Sequence, residues 1–257
     1  MDVECMYSKK PKVVDRIKAA VQNNNVFAFN LANRDRWIIR QAAMLPSGSR
    51  VLDVGAGSCP YRKVLSHCDY RTQDLARLND RQLRFGAYGN IDYVCDATNI
   101  PVEDASFDAI LCAEVLEHHP EPINVVKELG RILRPGGKLI LTAPLGSGIH
   151  QEPFHYYGGY TPYWYKKFLS EAGFVEIIIE ANAGFFKFYS QESIRFIRMS
   201  QPLRIPMPHV VRLLWLPVWV VLAPVLGIVL PMLCHYLDRF DFEKRFTVGY
   251  HVTAVKR

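Results

Sequence analysis

The sequence predicts a doubly wound α/β fold, in which helices cover both faces of a mostly parallel sheet. The main observation is that short apolar runs, each ending in a turn or an acidic residue, alternate with helical patterns. Five such runs lie at residues 51–54, 70–73, 91–95, 107–112 and 138–143. A sixth, Phe174 to Glu180, is rich in β-branched residues, and the alternating segment from Phe246 to Val255 predicts a last strand.

Helix signals fill the intervals between these strands. The predicted helices are Pro60–His67, Pro120–Leu133 and Pro162–Ala172. Each begins with a proline, which a helix tolerates in its first turn, and Gly173 after the third is a typical C-cap residue. Two earlier helical patterns, Val13–Ala20 and Arg34–Leu45, predict an N-terminal helical cap.

The length of 257 residues fits one large domain with an insertion. We expect a helical cap over residues 1–47, a core formed by 48–183 together with 246–257, and an apolar helical insertion over 184–245. The six cysteines include no C-x-x-C pair, which indicates reduced thiols. The N-terminus lacks a signal-peptide pattern, so a cytoplasmic location is expected.

The net charge of +6 comes from dispersed basic residues. The densest basic group, between Arg71 and Arg84, has no interleaved stacking aromatics, so no nucleic-acid partner is expected. An anionic membrane surface or a phosphorylated acceptor would use the same excess charge.

A glycine turn follows the first predicted strand. Gly55 and Gly57 let the backbone approach a bound nucleotide or amino acid without a Cβ clash, although a tight strand–helix turn alone would also explain them. Asp74 ends the second strand, where an acidic residue can bond ribose hydroxyls. Asp96 ends the third, within reach of an adenine edge, and Ala97 leaves room for the ring. Since the carboxyl ends of the strands form the ligand edge of such sheets, these positions together favour a ligand site.

Two further motifs complete the pattern: Glu114–His118 (EVLEH) after the fourth strand and Leu133–Leu139 (LRPGGKL) before the fifth. Together with Val51–Gly57 (VLDVGAG) and Asp96–Asp108 (DATNIPVEDASFD), they resemble the class I S-adenosylmethionine (SAM)-dependent methyltransferases of the type 11 group. That group includes quinone-biosynthesis and polysaccharide-cluster enzymes. The resemblance covers about residues 48–180 and the last strand.

The resemblance implies a seven-stranded sheet whose last strand lies antiparallel between strands five and six. It also implies SAM as the cofactor. By position, Asp53, Gly55 and Gly57 would line the methionine end, Asp74 the ribose, Asp96 and Ala97 the adenine, and Glu114 would lie beside the donor. A nicotinamide dehydrogenase would instead carry glycine or alanine at position 60, where this chain has proline.

Candidate catalytic residues come from the loops after strands four and five. A base that removes a proton assists methyl transfer to a hydroxyl, and the candidates are His118, His150 and His155, with His119 and Glu152 beside them in sequence. Surface packing would equally explain any single one of them.

Glu114, Glu117 and His118 fall at i, i+3 and i+4, so a helical turn would place them on one face. Some quinone O-methyltransferases with this pattern are thought to use a divalent cation there, whereas the same letters recur in relatives without a metal. No metal is assigned.

Residues 213–234 form an uncharged apolar segment long enough to cross a bilayer. Prolines recur every seven residues within it and disfavour a simple spanning helix. They are Pro217, Pro224 and Pro231. Because strands six and seven must lie on one side of a membrane, we expect the segment to lie on the bilayer, to dip into it as two short halves, or to form a buried lid. Membrane contact through residues 198–237 is favoured, with Trp215 and Trp219 as interfacial anchors.

The sequence therefore predicts transfer of a methyl group from SAM to a small or lipid-linked acceptor, at a hydroxyl. The protein is expected in the cytoplasm, peripherally attached to the inner face of the cytoplasmic membrane. The alternative is a non-catalytic SAM- or lipid-binding module with the same fold. The insertion leaves the sheet at its carboxyl edge, so we expect it to shape the acceptor pocket.

Overall fold

A computed structural model describes residues 26–257. The strands are β1 Arg50–Val54, β2 Asp69–Asp74, β3 Tyr93–Val94, β4 Phe107–Ala113, β5 Leu133–Pro144, β6 Phe174–Ala181 and β7 Gly249–Lys256. The helices are α1 Phe29–Ala43, α2 Pro122–Ile132, α3 Pro162–Glu171, α4 Phe185–Met199, α5 His209–Pro224 and α6 Leu230–Leu237. Short 3₁₀ turns cover Leu116–His118 and Asp238–Phe240, and a π-helical turn, Val225–Val229, joins α5 to α6. The predicted helix Val13–Ala20 lies outside the described residues.

The seven strands form one sheet in the order β3-β2-β1-β4-β5-β7-β6. β3, β2, β1, β4 and β5 pair in parallel, whereas β7 is antiparallel to both β5 and β6. The predicted fold, with its last strand antiparallel between strands five and six, is confirmed. Parallel strands end at the same edge of a sheet, so the turns after β1, β2 and β4 meet there.

Both faces of the sheet are buried, because successive strand residues point to opposite sides. Ile110 packs on one side with Val125 of α2 and Leu169 of α3. Its neighbour Leu111 packs on the other side with Trp37 and Ile38 of α1. The helix α1 is therefore part of the core and packs against one face of the sheet, beside the edge where the parallel strands end.

Local signals explain where some helices begin, and also where one predicted helix fails. α3 starts as expected, since Pro162 occupies its first turn and the Thr161 side chain accepts a hydrogen bond from the Trp164 N–H. The predicted helix Pro60–His67 is instead a series of turns. It follows Cys59, whose φ of 51° lies in the left-handed region, and the segment is too short to continue as a helix after that kink.

The apolar insertion forms a helical hairpin. We call α4 its short arm and residues 209–237 its long arm. The Trp215 indole N–H donates to the Ser200 carbonyl (2.8 Å), and the Ser193 hydroxyl donates to the Leu226 carbonyl (2.9 Å), so the arms run antiparallel in contact. The expected dip of two short halves within 213–234 is not what forms. The short arm provides the outward path and the long arm returns as one helical run, with a π-helical turn directly after Pro224.

Candidate functional site

A cavity of about 260 Å³ lies where β1, β2 and β4 end. Its wall includes the glycine turn after β1, Asp74 after β2 and Glu114 after β4. Two loops meet over it. The Gln82 amide donates to the Glu152 carbonyl (2.9 Å), and the Gln151 amide donates to the Gln82 carbonyl (3.1 Å). The loop after β2 and the loop after β5 thus close the same space.

The glycine turn is shaped by a close approach of backbone to side chain. Gly55 has φ +68°, and a Cβ there would overlap the Cγ2 atom of Val115 in the loop after β4. The next glycine, Gly57, donates its N–H to the Asp74 carboxylate (2.9 Å), which ties the turn to the end of β2. A side chain at position 55 would push either the turn or Val115 into the cavity.

Asp53 is a buried acid at the base of this turn, with 2% of its surface exposed. Burial raises its pKa to about 7, and the charge of Asp74 adds to this shift. The Tyr70 hydroxyl donates to Asp53 Oδ2 (2.5 Å) and acts in the opposite direction. Burial therefore makes Asp53 hold its proton to a much higher pH than an exposed aspartate does.

The predicted ribose and adenine residues are positioned differently from one another. Asp74 lies on the cavity wall and accepts N–H donors from Gly57 and from Ala76 (2.8 Å). Ala97 is also on the wall. Asp96 lies beside the cavity, where its carboxylate accepts from Thr98 and faces His119 Nε2 at 2.9 Å. Burial alone would raise the pKa of Asp96, but these hydrogen bonds lower it.

The expected common face of Glu114, Glu117 and His118 does not form. Glu114 has φ +56° and precedes the 3₁₀ turn Leu116–His118, so it is not part of a helix. Its carboxylate instead meets the Arg34 guanidinium (3.0 Å) and accepts from the Thr142 hydroxyl (2.8 Å).

Arg34 of α1 is a wall residue that the sequence analysis missed. Its Nε is buried without a hydrogen-bond partner among residues 26–257. Because a buried donor without an acceptor is unfavourable, the position favours an anion beside it. A signal was present in the sequence. Arg34 precedes the buried Trp37 and Ile38 by three and four residues, so it lies on the apolar stripe of α1.

The three candidate catalytic histidines converge beside the cavity. The His118 ring lies 4.7 Å from that of His150 and 5.8 Å from that of His155, centre to centre. His118 is on the cavity wall, whereas His150 is exposed. His155 Nε2 lies 3.0 Å from the Ser147 hydroxyl. The pKa of His118 is lowered to about 4, mainly by burial. The hydrogen bond to the Phe154 carbonyl raises the pKa in part, and the neighbouring histidines lower it.

Glu117 is a buried carboxyl next to this cluster. Burial raises its pKa well above the usual range, with a further contribution from the charge of Glu114. Glu117, His118 and His150 have possible metal-ligand atoms within 4.8 Å of one another. This separation suits a cation as well as a proton-sharing cluster, so the assignment without a metal stays a prediction.

Comparison with known proteins decides the family. Residues 52–141 match a family model described as a methyltransferase domain. These residues form a class I methyltransferase domain of the type 11 group. SAM is the cofactor of this methyltransferase domain.

The similar curated proteins act on different acceptors. One is 27-O-demethylrifamycin SV methyltransferase of Amycolatopsis mediterranei, 34% identical over 113 residues, which are 40% of this chain and 42% of that protein. Another is ubiquinone biosynthesis O-methyltransferase of Xanthomonas axonopodis pv. citri, 34% identical over 39% of this chain and 45% of that protein. A third is sarcosine/dimethylglycine N-methyltransferase of Halorhodospira halochloris, 29% identical over 51% and 53%. The chain thus spans about half the length of the curated relatives it matches.

Solved structures share the fold. Phosphoethanolamine N-methyltransferase 2 of Haemonchus contortus, in complex with SAM, has a TM-score of 0.53 and 18% identity over 93% of this chain and 56% of that one. A SAM-dependent methyltransferase of Archaeoglobus fulgidus has a TM-score of 0.53 and 12% identity over 95% of this chain and 100% of that one. At these identities the likeness concerns the fold alone.

The residues around the cavity fit SAM. Gly55 and Gly57 line the cavity without side chains, so a ligand can approach the backbone of this turn closely. The unpartnered Nε of Arg34 can bond the carboxylate of the methionine part.

Proposed function

We propose that this protein transfers a methyl group from SAM to a small or lipid-linked acceptor, at a hydroxyl. The observation that carries the proposal is that one cavity has the glycine turn and Asp74 on one wall and a neutral histidine, His118, on another. SAM supplies an electrophilic methyl group when bound. The remaining task of the protein is to hold an acceptor in line with that methyl group and to receive the proton.

The donor subsites follow from the cavity wall. Asp53, Gly55 and Gly57 would hold the methionine end, and Asp74 would bond the ribose through the free lone pairs of its oxygens. Ala97 would contact the adenine ring. Asp96 lies beside the wall, so we assign it to orienting His119, which is on the wall. Glu114 would act beside the donor by fixing the Arg34 guanidinium.

Arg34 would bind the methionine carboxylate in a charge-assisted hydrogen bond. Such bonds contribute about 1.5–3 kcal/mol, which corresponds to roughly tenfold to 150-fold in affinity. Titration calorimetry should show this loss for Arg34→Ala with SAM, but not with decarboxylated SAM. An equal loss for both ligands would mean that Arg34 supports the turn and does not bind the carboxylate.

His118 is suited to accept a proton. A carbonyl oxygen can only accept, so the contact of 2.6 Å between His118 Nδ1 and the Phe154 carbonyl requires Nδ1–H to donate. In the neutral ring, Nε2 therefore keeps its lone pair. The low pKa of His118 keeps that ring neutral at physiological pH. A proton taken up at Nε2 could pass to His150, whose ring is in contact and exposed to solvent.

The acceptor is proposed to reach this site from a membrane. The hairpin joins the core where β6 and β7 meet, and Arg195 of its short arm lies against Gly148, in the loop that carries His150 and His155. A Cβ on Gly148 would be 2.9 Å from Arg195 Nη1. We therefore assign residues 184–245 to acceptor delivery, residues 48–183 with 246–257 to SAM binding, and residues 1–47 to the cap. The proposed location is the inner face of the cytoplasmic membrane.

Methyl transfer is tested with the full chain, methyl-labelled SAM and membrane extracts. We expect label in an extracted lipid or lipid-linked product. His118→Gln should reduce the turnover number by roughly 100-fold or more, the usual size of acid–base catalysis, while SAM affinity stays unchanged. His67→Gln, remote from the cavity, is the matched control. SAM binding without incorporation into any extract would favour a non-catalytic module.

A further inference from the structure

The hairpin has an apolar arm that the protein itself leaves uncovered. Within the described residues, one helical run, His209–Phe240, is long and apolar enough to cross a membrane, with a mean hydropathy of 2.5 in its most apolar window. No residue of α5 or of the π-helical turn is buried. Large side chains such as Leu214, Val221 and Ile228 are 68%, 67% and 52% exposed. An exposed apolar surface of this extent indicates a partner.

The contacts between the arms define which side of the long arm is free. Trp215, Trp219 and Leu226 face the short arm, the two indole N–H groups donating to the Ser200 and Ile197 carbonyls (2.8 and 3.1 Å). The tryptophans therefore join the arms to each other, and their role as interfacial anchors stays a prediction. The other sides of the long arm remain apolar and uncharged from residue 213 to 234.

The short arm also exposes large apolar side chains, such as Phe196 and Met199, but unlike the long arm it carries charges. It carries a Glu192–Arg195 ion pair (3.1 Å) and Arg198. Charged side chains are strongly disfavoured at the centre of a bilayer. Insertion of the whole hairpin end-on would bring these charges into the hydrocarbon, because the short arm accompanies the long arm along most of its length.

The prolines of the long arm also oppose a deep position. Pro217 and Pro224 lie inside α5 and have no N–H, so the carbonyls of Leu213 and Val220 lose their usual helical partners. Such carbonyls are costly in hydrocarbon but can bond water at the level of the headgroups. Basic residues stand at the turn between the arms, where anionic headgroups would meet them. They are Arg198, Arg204 and Arg212.

We infer that the long arm lies within one leaflet of an anionic bilayer, parallel to the membrane plane, while the short arm stays on its water side. The hairpin is anchored at its base, because the Asp238 carboxylate accepts from the Gly184 N–H (3.1 Å) and the Lys187 N–H (3.0 Å). Through Arg195 and Gly148, the loop of His150 then lies directly under the membrane-bound hairpin. This inference deepens the proposed function by naming the partner as a bilayer, and the acceptor as an amphiphile whose apolar tail stays in it.

Liposome flotation tests the binding. Wild-type protein should float with vesicles of phosphatidylcholine plus about one-third phosphatidylglycerol, and less with phosphatidylcholine alone. In the double variant Leu214→Glu/Val221→Glu, the fraction of protein that floats with the vesicles should fall at least tenfold. The matched control is Met44→Glu/Ile178→Glu, which places two equal charges on the core at side chains 61% and 57% exposed. The control should float like the wild type.

Sealed vesicles test the orientation. Leu203→Cys, at the turn between the arms, should react with an external membrane-impermeant maleimide equally well before and after vesicle lysis, once wild-type labelling is subtracted. Labelling only after lysis would show that the hairpin crosses the bilayer and would overturn the inference.

Wild-type protein that does not float, or a Leu214→Glu/Val221→Glu variant that floats normally, would overturn the membrane partner. A variant that converts a lipid-free dimer to a monomer would then identify a second copy as the partner. SAM binding, measured on the same samples, is independent of these results. Intact SAM binding without flotation refutes this inference, whereas flotation without SAM binding refutes the proposed function.

Discussion

Gly55→Ala should have two separable effects, a loss of stability from backbone strain and a loss of SAM affinity from a steric overlap. An L-residue at φ +68° costs about 1–2 kcal/mol. The new Cβ also overlaps Val115 Cγ2, and overpacking of this kind costs typically about 1–3 kcal/mol. If relief of the overlap displaces the turn into the cavity, this cost of about 1–3 kcal/mol is transferred to ligand binding, which corresponds to a loss of affinity of roughly fivefold to 150-fold. Titration calorimetry with SAM measures this loss, and thermal unfolding measures the stability.

Two further variants separate backbone strain from overlap. Gly48→Ala introduces the same strain, at φ +81°, where no atom lies within 4 Å of the new Cβ. It should lower stability by about 1–2 kcal/mol and leave SAM affinity unchanged. Val115→Ala removes both γ carbons, so adding it to Gly55→Ala should restore most of the SAM affinity. The loss of stability caused by backbone strain at position 55 should remain. Wild-type affinity in Gly55→Ala, or no recovery in the double variant, would refute the reasoning.

Three other predictions concern protonation and the hairpin. Burial raises the pKa of Asp53 to about 7, against about 3.9 in an unfolded chain. As pH rises from about 4 to about 7 the unfolded chain loses this proton more readily, so Asp53 destabilises the folded protein increasingly. Asp53→Asn should thus stabilise the protein against urea by roughly 2 kcal/mol more at pH 8 than at pH 5, and a gain independent of pH would contradict this. Because His118 has a pKa of about 4, the turnover number at saturating SAM should stay level down to about pH 5; a pH–rate profile falling near pH 6.5 would oppose His118 as the base. Asp238→Ala removes the cap of the short arm and should cost about 1–2 kcal/mol in thermal unfolding without changing SAM affinity, and an unchanged melting temperature would argue against the cap.

Local patterns were sufficient to predict which residues lie at the edge of the sheet, where Gly55, Gly57 and Asp74 line the cavity. Gly55, Gly57 and Asp74 were identified because each stands at the end of a strand, and parallel strands end at the same edge of a sheet. The prediction of a helix over Pro60–His67 failed for a local reason as well. Its start follows a left-handed residue, which single-sequence propensity does not reveal.

Roles that depend on neighbours distant in sequence were not accessible in the same way. The Glu114, Glu117 and His118 spacing suggested one face, yet the end of β4 turns Glu114 toward Arg34, 80 positions earlier in the chain. Two other contacts likewise join separate loops. One is the hydrogen bond between Gln151 and Gln82, and the other is the approach of His118 to His150 and His155. No periodicity encodes such contacts.

The sequence by itself determined the order of the strands, the glycine turn and the acidic strand ends, because these follow from hydrophobic periodicity and backbone sterics over a few residues. It also revealed the apolar segment, although not its form. Only the tertiary structure decided that this segment is the outer arm of a hairpin, that Arg34 lines the cavity at the sheet edge, and that burial lowers the pKa of His118. The physical reason is that burial, charge partners and exposed faces are set by packing between distant segments, and packing exists only in the folded chain.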